Sequence, residues 1–369
     1  MKKLVIVSIA TIATMALAMM VFLFVELYVP ISYNADELEV QIPKGCSLRR
    51  AIDILKEKGI LRGLSIVFYV AKYKAIDRDL KPGFYVFHTG STPLSVLAIL
   101  IKGDTVKVKL MIIPGETVKD VAARFPILNG SAPDEFLHLA SDKDFLNSID
   151  IKASSAEGYL YPETYIFDKG VTPKEGITLM AHLLRKNYPP DFRDRLSAIG
   201  LTEHQLLTLA SIVEKEAKAD TDRPLIATVY LNRLRIGMPL QADPTCIYGV
   251  KDFKYGISAG DLHNDTPYNT YRHTGLPPGP IASPSLKSIT AALHPADVPY
   301  LYFVSKKDGT HFFSETYTQH KDAIGRYTGK TQAMKPPVSH AIAATPKKTK
   351  AKHNPNSRKQ NSHKHKKRR

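Results

Sequence analysis

The sequence predicts an α+β protein carried behind a single apolar N-terminal helix, and three observations predict it. Lys2 and Lys3 precede an uncharged run from Leu4 to Val25, long enough as a helix to cross a hydrocarbon core of ~30 Å. Downstream, helical and extended patterns mix without the regular βαβα alternation of a parallel sheet. After Tyr327 the apolar residues thin out, and by Lys347 they have nearly vanished, so this end cannot bury enough surface to fold. The 369 residues therefore read as four parts. Residues 1–30 are the N-terminus and transmembrane anchor, 38–104 a small βα module, 105–332 a larger mixed α+β domain, and 333–369 a disordered basic tail.

The anchor is expected to remain uncleaved. Ala16-Leu17-Ala18 resembles a signal-peptidase site, but it lies inside the apolar run and is followed by Met19 to Val25. The apolar core of a signal peptide is usually ~7–15 residues. Ser8, Thr11 and Thr14 do not spoil the span, because a helix hydroxyl can bond back to a carbonyl. Lys2 and Lys3 place the short N-terminus in the cytoplasm and everything after residue 30 outside.

Within 38–104, Val40-Gln41-Ile42 is a strand that turns at Pro43-Lys44-Gly45. Ser47 caps a helix from Leu48 to Lys58, with Leu48, Ile52 and Leu55 on its apolar face. A second helix follows near Leu64–Tyr73. Lys81-Pro82-Gly83 turns into the strand Phe84–Phe87, and Thr92-Pro93 opens a helix that Gly103 ends. The next unit repeats the opening: strand Val106–Ile113, a turn at Pro114-Gly115-Glu116, and Thr117 as N-cap of Val118–Phe125. The first unit resembles a LysM-like module, a small carbohydrate-binding fold.

The formal charge is +16, and the stretch from Lys335 to Arg369 holds 12 basic residues and no acid. A partner seeking basic surface thus meets the tail first. Anionic polymer or lipid headgroups are the expected contacts. Nucleic acid is not, since the tail should lie outside the membrane. Cys46 and Cys246 fit no metal spacing and no disulfide framework, so two free thiols are expected, with no metal and no cofactor.

The most informative helix begins at Thr202, where Thr202 and Gln205 form a capping box. At about 100° per residue, Leu206, Ala210, Val213 and Ala217 centre its buried face. Lys215 falls opposite, in solvent. Glu214 and Glu216 flank the apolar face, where partial desolvation raises a carboxyl's pKa and suits it to general acid work. The pattern alone does not choose between them. The helix Leu225–Arg235 follows, then a long irregular stretch rich in Tyr, Asn, Gln, Asp, Pro and Gly. Such stretches inside a compact domain are often functional, and flat rings and amides suit sugars.

Several motifs in order now resemble one family. They are Glu157-Gly158-Tyr159-Leu160-Tyr161-Pro162-Glu163-Thr164-Tyr165, Ala210-Ser211-Ile212-Val213-Glu214-Lys215-Glu216 and Val229-Tyr230-Leu231-Asn232-Arg233-Leu234. Leu240-Gln241-Ala242-Asp243-Pro244-Thr245, Tyr268-Asn269-Thr270-Tyr271 and Gly275-Leu276-Pro277-Pro278-Gly279-Pro280-Ile281 follow, then Tyr300 to Val304 and His311 to His320. Together they resemble the YceG-like family of endolytic murein transglycosylases over roughly residues 1–328. The tail has no counterpart in it.

The resemblance implies a bacterial cytoplasmic (inner) membrane enzyme whose catalytic domain lies on the outer, periplasmic side and acts on nascent peptidoglycan glycan strands, with peptidoglycan synthases as further partners. It implies Glu216 as general acid and then base, cutting the MurNAc-GlcNAc bond to leave a 1,6-anhydro end. One carboxyl suffices there, because the nucleophile is the substrate's own C6 hydroxyl, whereas a hydrolase needs a second carboxylate. Glu157, Gln241, Asp243, Tyr248, Asn269 and Tyr271 are the expected residues of the glycan cleft. The competing reading is a non-catalytic, membrane-anchored wall-binding scaffold of the synthesis or division machinery, for which Glu216 would be dispensable.

Overall fold

A computed structural model of the chain describes residues 2–31, 36–62, 66–74 and 79–329. The tail expected over 333–369, and Leu64 at the expected start of the second helix, lie outside the described residues. The class is α+β as expected: the strands pair into three separate two-stranded antiparallel sheets, β1 with β2, β3 with β4 and β5 with β6.

The first helix, α1 (Lys2–Tyr28), is long and apolar enough to cross a membrane. Its 27 residues span about 40 Å. The side chains of Ser8, Thr11 and Thr14 donate to the carbonyls of Leu4, Val7 and Ala10 at 3.0, 2.9 and 2.8 Å, so each of these three hydroxyls is satisfied within the helix. Arg62 ties the foot of this helix to the next unit by donating to the carbonyls of Val25 and Pro30.

The following segment runs β1 (Glu37–Ile42), α2 (Leu48–Glu57), α3 (Ile66–Tyr73), β2 (Gly83–His88) and α4 (Pro93–Lys102). Ser47 and Thr92 cap α2 and α4 by accepting from Arg50 N and Ser95 N, and Gly103 ends α4 in the left-handed conformation. Val40, Ile42, Leu55, Tyr85, Phe87 and Leu100 build an apolar cluster of its own. The chain leaves along a seam in which Val106 N donates to Phe84 O at 2.7 Å and Lys169 pairs with Glu39 at 2.7 Å.

The remainder shares one larger core. It begins with β3 (Lys107–Met111) and four short helices, α5 (Val118–Arg124), α6 (Pro126–Asn129), α7 (Pro133–Leu139) and α8 (Lys143–Ser148). Next come β4 (Thr164–Asp168), α9 (Pro173–Lys186) and α10 (Phe192–Ile199). Then α11 (Glu203–Glu216), α12 (Arg223–Arg235) and α13 (Leu286–Leu293) pack together, and the hairpin β5 (Tyr302–Ser305) and β6 (His311–Ser314) with α14 (Tyr317–Thr328) closes the chain. Between α12 and α13 the backbone is irregular, with only three short 3-10 turns.

Helix α11 departs from the amphipathic picture. Every residue from Leu206 to Val213 is buried, Thr208 and Ser211 included. The expected face, Leu206, Ala210, Val213 and Ala217, is buried, but so is the rest, because α12, α13 and the 278–283 loop enclose the helix. The two hydroxyls are absorbed internally: Thr208 donates to His204 O, while Ser211 donates to Thr208 O and accepts from Ile281 N. Lys215, expected in solvent, is half-buried and donates to Gly115 O at 3.2 Å. The 114–116 turn and the 248–254 loop fold over that face of the helix.

Two close approaches fix the loops above α11. Gly115 N donates to Ser283 O at 2.8 Å and Ser283 N to Glu116 O at 2.7 Å, a two-way tie between distant segments. Gly158 sits at φ +80°, and a Cβ there would lie 2.4 Å from Pro280. Gly158→Ala therefore combines left-handed strain with overpacking. The variant is expected to lose about 2–4 kcal/mol of stability, read as a lowered midpoint in denaturant melts.

Candidate active site

The two glutamates that the helical pattern leaves equivalent occupy different environments. Glu214 pairs with Arg223 at 3.2 Å and accepts from the backbone N and the hydroxyl of Ser285 at 2.9 and 2.5 Å. Its side chain is nearly closed off, and three donors hold it. It ties α11 to the starts of α12 and α13.

Glu216 ends α11, and the chain turns extended at Ala217. Dense protein surrounds its carboxyl, yet the residue keeps partial access to solvent. Among the described residues no cation pairs with it directly. The Tyr230 hydroxyl donates to Oε1 at a long 3.3 Å, and the Asp243 backbone amide also donates. Burial, and then the charge of Asp243, push the carboxyl up to about 8; the two hydrogen bonds and the more distant Arg233 oppose the rise without cancelling it. At neutral pH the group is therefore mostly protonated, as a proton donor must be.

The rest of this cluster is presented by the irregular segments. Asp243 is exposed, and its carboxylate accepts from the Tyr271 hydroxyl. Behind them, Ala242 N donates to the Thr270 hydroxyl at 2.9 Å, the Thr245 and Thr270 hydroxyls meet at 2.8 Å, and Gln241 N donates to Thr270 O. Gln241 holds φ +50°, a left-handed conformation that a non-glycine residue adopts at some cost. Asn269 is fully buried. Its amide donates to the carbonyls of Leu262 and Asn264 and accepts from Tyr271 N, so it holds the loop that presents Tyr271 and does not face the cleft. Cys246 is a buried free thiol that donates to Asp243 O.

Tyr230 and Arg233 have no assigned role in the sequence pattern. Arg233 is buried and donates to Leu240 O and Leu301 O at 2.6 and 2.7 Å, joining α12 to the loop that carries Gln241 and to the lead-in of β5. The available signal was chemical: a phenol or guanidinium on an otherwise apolar helix must find partners when buried.

Glu157 and Tyr248 form a second cluster on the Lys215 side of the same helix end. Glu157 is buried and accepts from Val118 N at 3.2 Å and the Tyr248 hydroxyl at 2.9 Å. Burial raises it to about 7, against these hydrogen bonds. It lines a cavity of about 440 Å³ with Lys119, Lys215 and Phe253. Glu216 is not in that wall, so this hollow lies beside it. Among the described residues no group of His, Cys, Asp and Glu is arranged to hold a metal ion.

A carboxyl that holds its proton near neutral pH at the end of an enclosed helix is chemically able to give that proton and take one back. The chain belongs to the YceG-like family, whose model matches residues 40–326. It is similar to the endolytic murein transglycosylase of Bacillus subtilis strain 168, at 31% identity over 305 residues, covering 79% of this chain and 84% of that protein. The enzyme of the same name from Streptococcus pneumoniae D39 is 33% identical over 332 residues, covering 81% of this chain and 60% of its own longer sequence. The crystal structure of a YceG-like protein from Listeria monocytogenes matches with a TM-score of 0.54 at 33% identity, over 78% of this chain and 98% of that one.

The elevated Glu157 gives a stability test. A carboxyl whose folded pKa is raised contributes fully below its unfolded value near 4.5 and loses that contribution as pH climbs through about 7. Glu157→Gln removes this loss. Between pH 5 and 8 the variant is expected to gain about 3 kcal/mol on the wild type, measured by denaturant melts at both pH values.

Proposed function

We propose that the chain is a membrane-anchored endolytic peptidoglycan lytic transglycosylase in which Glu216 is the general acid and then the base. The observation that carries the assignment is a carboxyl held protonated near neutral pH beside an exposed carboxylate, at the end of the helix that carries the Glu214-Lys215-Glu216 triplet. Glu216 gives its proton to the oxygen linking MurNAc C1 to GlcNAc, and that C–O bond breaks. Positive charge grows on C1 and its ring oxygen, and Asp243, held by Tyr271, is the nearby negative charge that stabilises it. The C6 hydroxyl of the same MurNAc then attacks C1 and passes its proton to Glu216. The acid is regenerated, a 1,6-anhydro ring forms, and no water is consumed. Tyr230 and the Asp243 amide stabilise the carboxylate between the two proton transfers.

Glu157, Gln241, Tyr248 and Tyr271 shape the glycan cleft in this reading, and Asn269 acts by holding the loop. The segment 38–104 is a LysM-like glycan-binding module; its β1-α2-α3-β2 order and its own apolar cluster support that. The larger unit 105–332 is catalytic. Residues 4–25 anchor the chain in the inner membrane, with Lys2 and Lys3 inside and the catalytic unit on the outer side near the synthases. The tail 333–369 contacts anionic wall polymer or lipid.

Glu216→Gln is expected to fold as the wild type does and to lose ~10²–10⁴-fold or more in activity, read by mass spectrometry as the disappearance of anhydro-MurNAc ends from digested peptidoglycan. Wild-type levels of those ends would remove Glu216 from the mechanism, and reducing ends from the wild type would mean a hydrolase.

The pH profile is a second test. Because the acid must start protonated, kcat/KM is expected to fall as pH rises through about 8. Asp243→Asn removes the neighbouring charge that helps to raise Glu216, so its alkaline limb is expected at lower pH than the wild type's.

A further inference from the structure

We propose that the cavity between α5 and the 248–254 loop receives the stem peptide of the muramoyl residue being cut, a peptide carboxylate seating against Lys215 and Lys119. This inference rests on the transglycosylase reading and adds what the site recognises beside the sugar.

Lys215 is half-buried, immediately precedes Glu216, and has a carbonyl and an aromatic face as its close partners: it donates to Gly115 O at 3.2 Å and lies 3.8 Å from the centre of the Phe253 ring. None of the ion pairs among the described residues includes it or Lys119. The carboxylates around the cavity are committed elsewhere. Glu116 is held by Arg124, Asp120 caps Thr117, Glu214 pairs with Arg223, and Asp252 pairs with Lys254. Glu157 accepts from Tyr248 and Val118 N. The other lysine of the loop, Lys251, is taken by Asp261. A cation partly removed from water, as Lys215 is, normally finds an opposite charge, and Lys215 and the exposed Lys119 both line this cavity.

Position supplies the second argument. Lys215 and Glu216 leave the last turn of one helix about 100° apart, so the cavity and the acid flank the same helix end. In muramic acid the peptide hangs from the lactyl ether on C3, two ring carbons from the C1 that Glu216 serves. Three extended residues reach about 10 Å, and the hollow of about 440 Å³ lies within the usual range for a bound organic ligand. Tyr248, Val250 and Phe253 give it apolar wall for alanyl methyls, and the lysines supply the counter-charge for the acidic residues of such peptides. A stripped glycan keeps only the lactyl carboxylate next to the C3 ether, so it would bring neither alanyl methyls to the apolar wall nor the peptide's more distant carboxylates to these lysines.

The test uses the full-length protein in detergent and three glycans: uncrosslinked strands bearing peptides, the same strands stripped by an amidase, and strands whose peptide carboxylates are amidated. Anhydro-MurNAc ends are counted to obtain kcat and KM. The wild type is expected to cut peptide-bearing strands about tenfold more efficiently than either other substrate, with the difference in KM. Lys119→Gln and Lys215→Met are each expected to shrink that ratio toward one. Lys119 is a surface residue, so its variant guards against misfolding of the other, and the amidated strands need no variant at all. Equal cutting of all three strands by the wild type overturns this inference and leaves the transglycosylase reading standing. No cleavage of any strand removes that reading and this inference with it.

Discussion

Enclosure of α11 governs the rest of the structure. Leu206, Leu207, Leu209, Ile212 and Val213 are each fully buried, and side chains of this size contribute about 1.5–3 kcal/mol apiece. The helix is therefore held from every direction, and its last turn cannot drift. Glu216 emerges where that packing stops, at the step to extended backbone at Ala217. A carboxyl at such a point inherits the low-dielectric surroundings of the core while remaining open to a ligand. The pairings of Glu214 with Arg223 and of Gly115 and Glu116 with Ser283 keep the enclosing segments in place.

Three carboxylates near one helix end show how partners decide chemistry. Glu214 has an arginine and a serine and is structural. Glu157 has a phenol and a backbone amide, and its proton is held to about 7. Glu216 has one long phenol contact and an amide, with Asp243 close by, and is held to about 8. Of the two that burial raises, the less compensated rises further. A carboxyl that is to give a proton near neutral pH and take it back needs a pKa in that range: full compensation would leave it ionised and a poor base, and none would leave it unable to release its proton.

Much of the frame was legible in the sequence because it depends on local signals. Ser47, Thr92, Thr117 and Thr202 are caps as their neighbours demanded, and the irregular stretch after α12 follows from its Pro, Gly and Asn content. What was not legible depends on contacts far apart in the chain. Periodicity placed Lys215 in solvent because it cannot see the 248–254 loop folding back. It left Glu214 and Glu216 equivalent because Arg223 and Ser285 belong to other helices. Asn269 looked like a sugar ligand because an amide in a loop has the same signature whether it faces a ligand or the loop's own carbonyls.

The central claim is that burial, set by the packing of α11, keeps Glu216 protonated at neutral pH. Infrared difference spectra of the full-length wild type against Glu216→Gln, titrated from pH 4 to 10, test it most directly through the C=O stretch of a protonated carboxyl. The account predicts a band assigned to Glu216 that persists at pH 7 and disappears around pH 8. A band already lost near the ordinary carboxylate value of about 4.5 would contradict it, and the proton donor would then have to be sought elsewhere in the cleft.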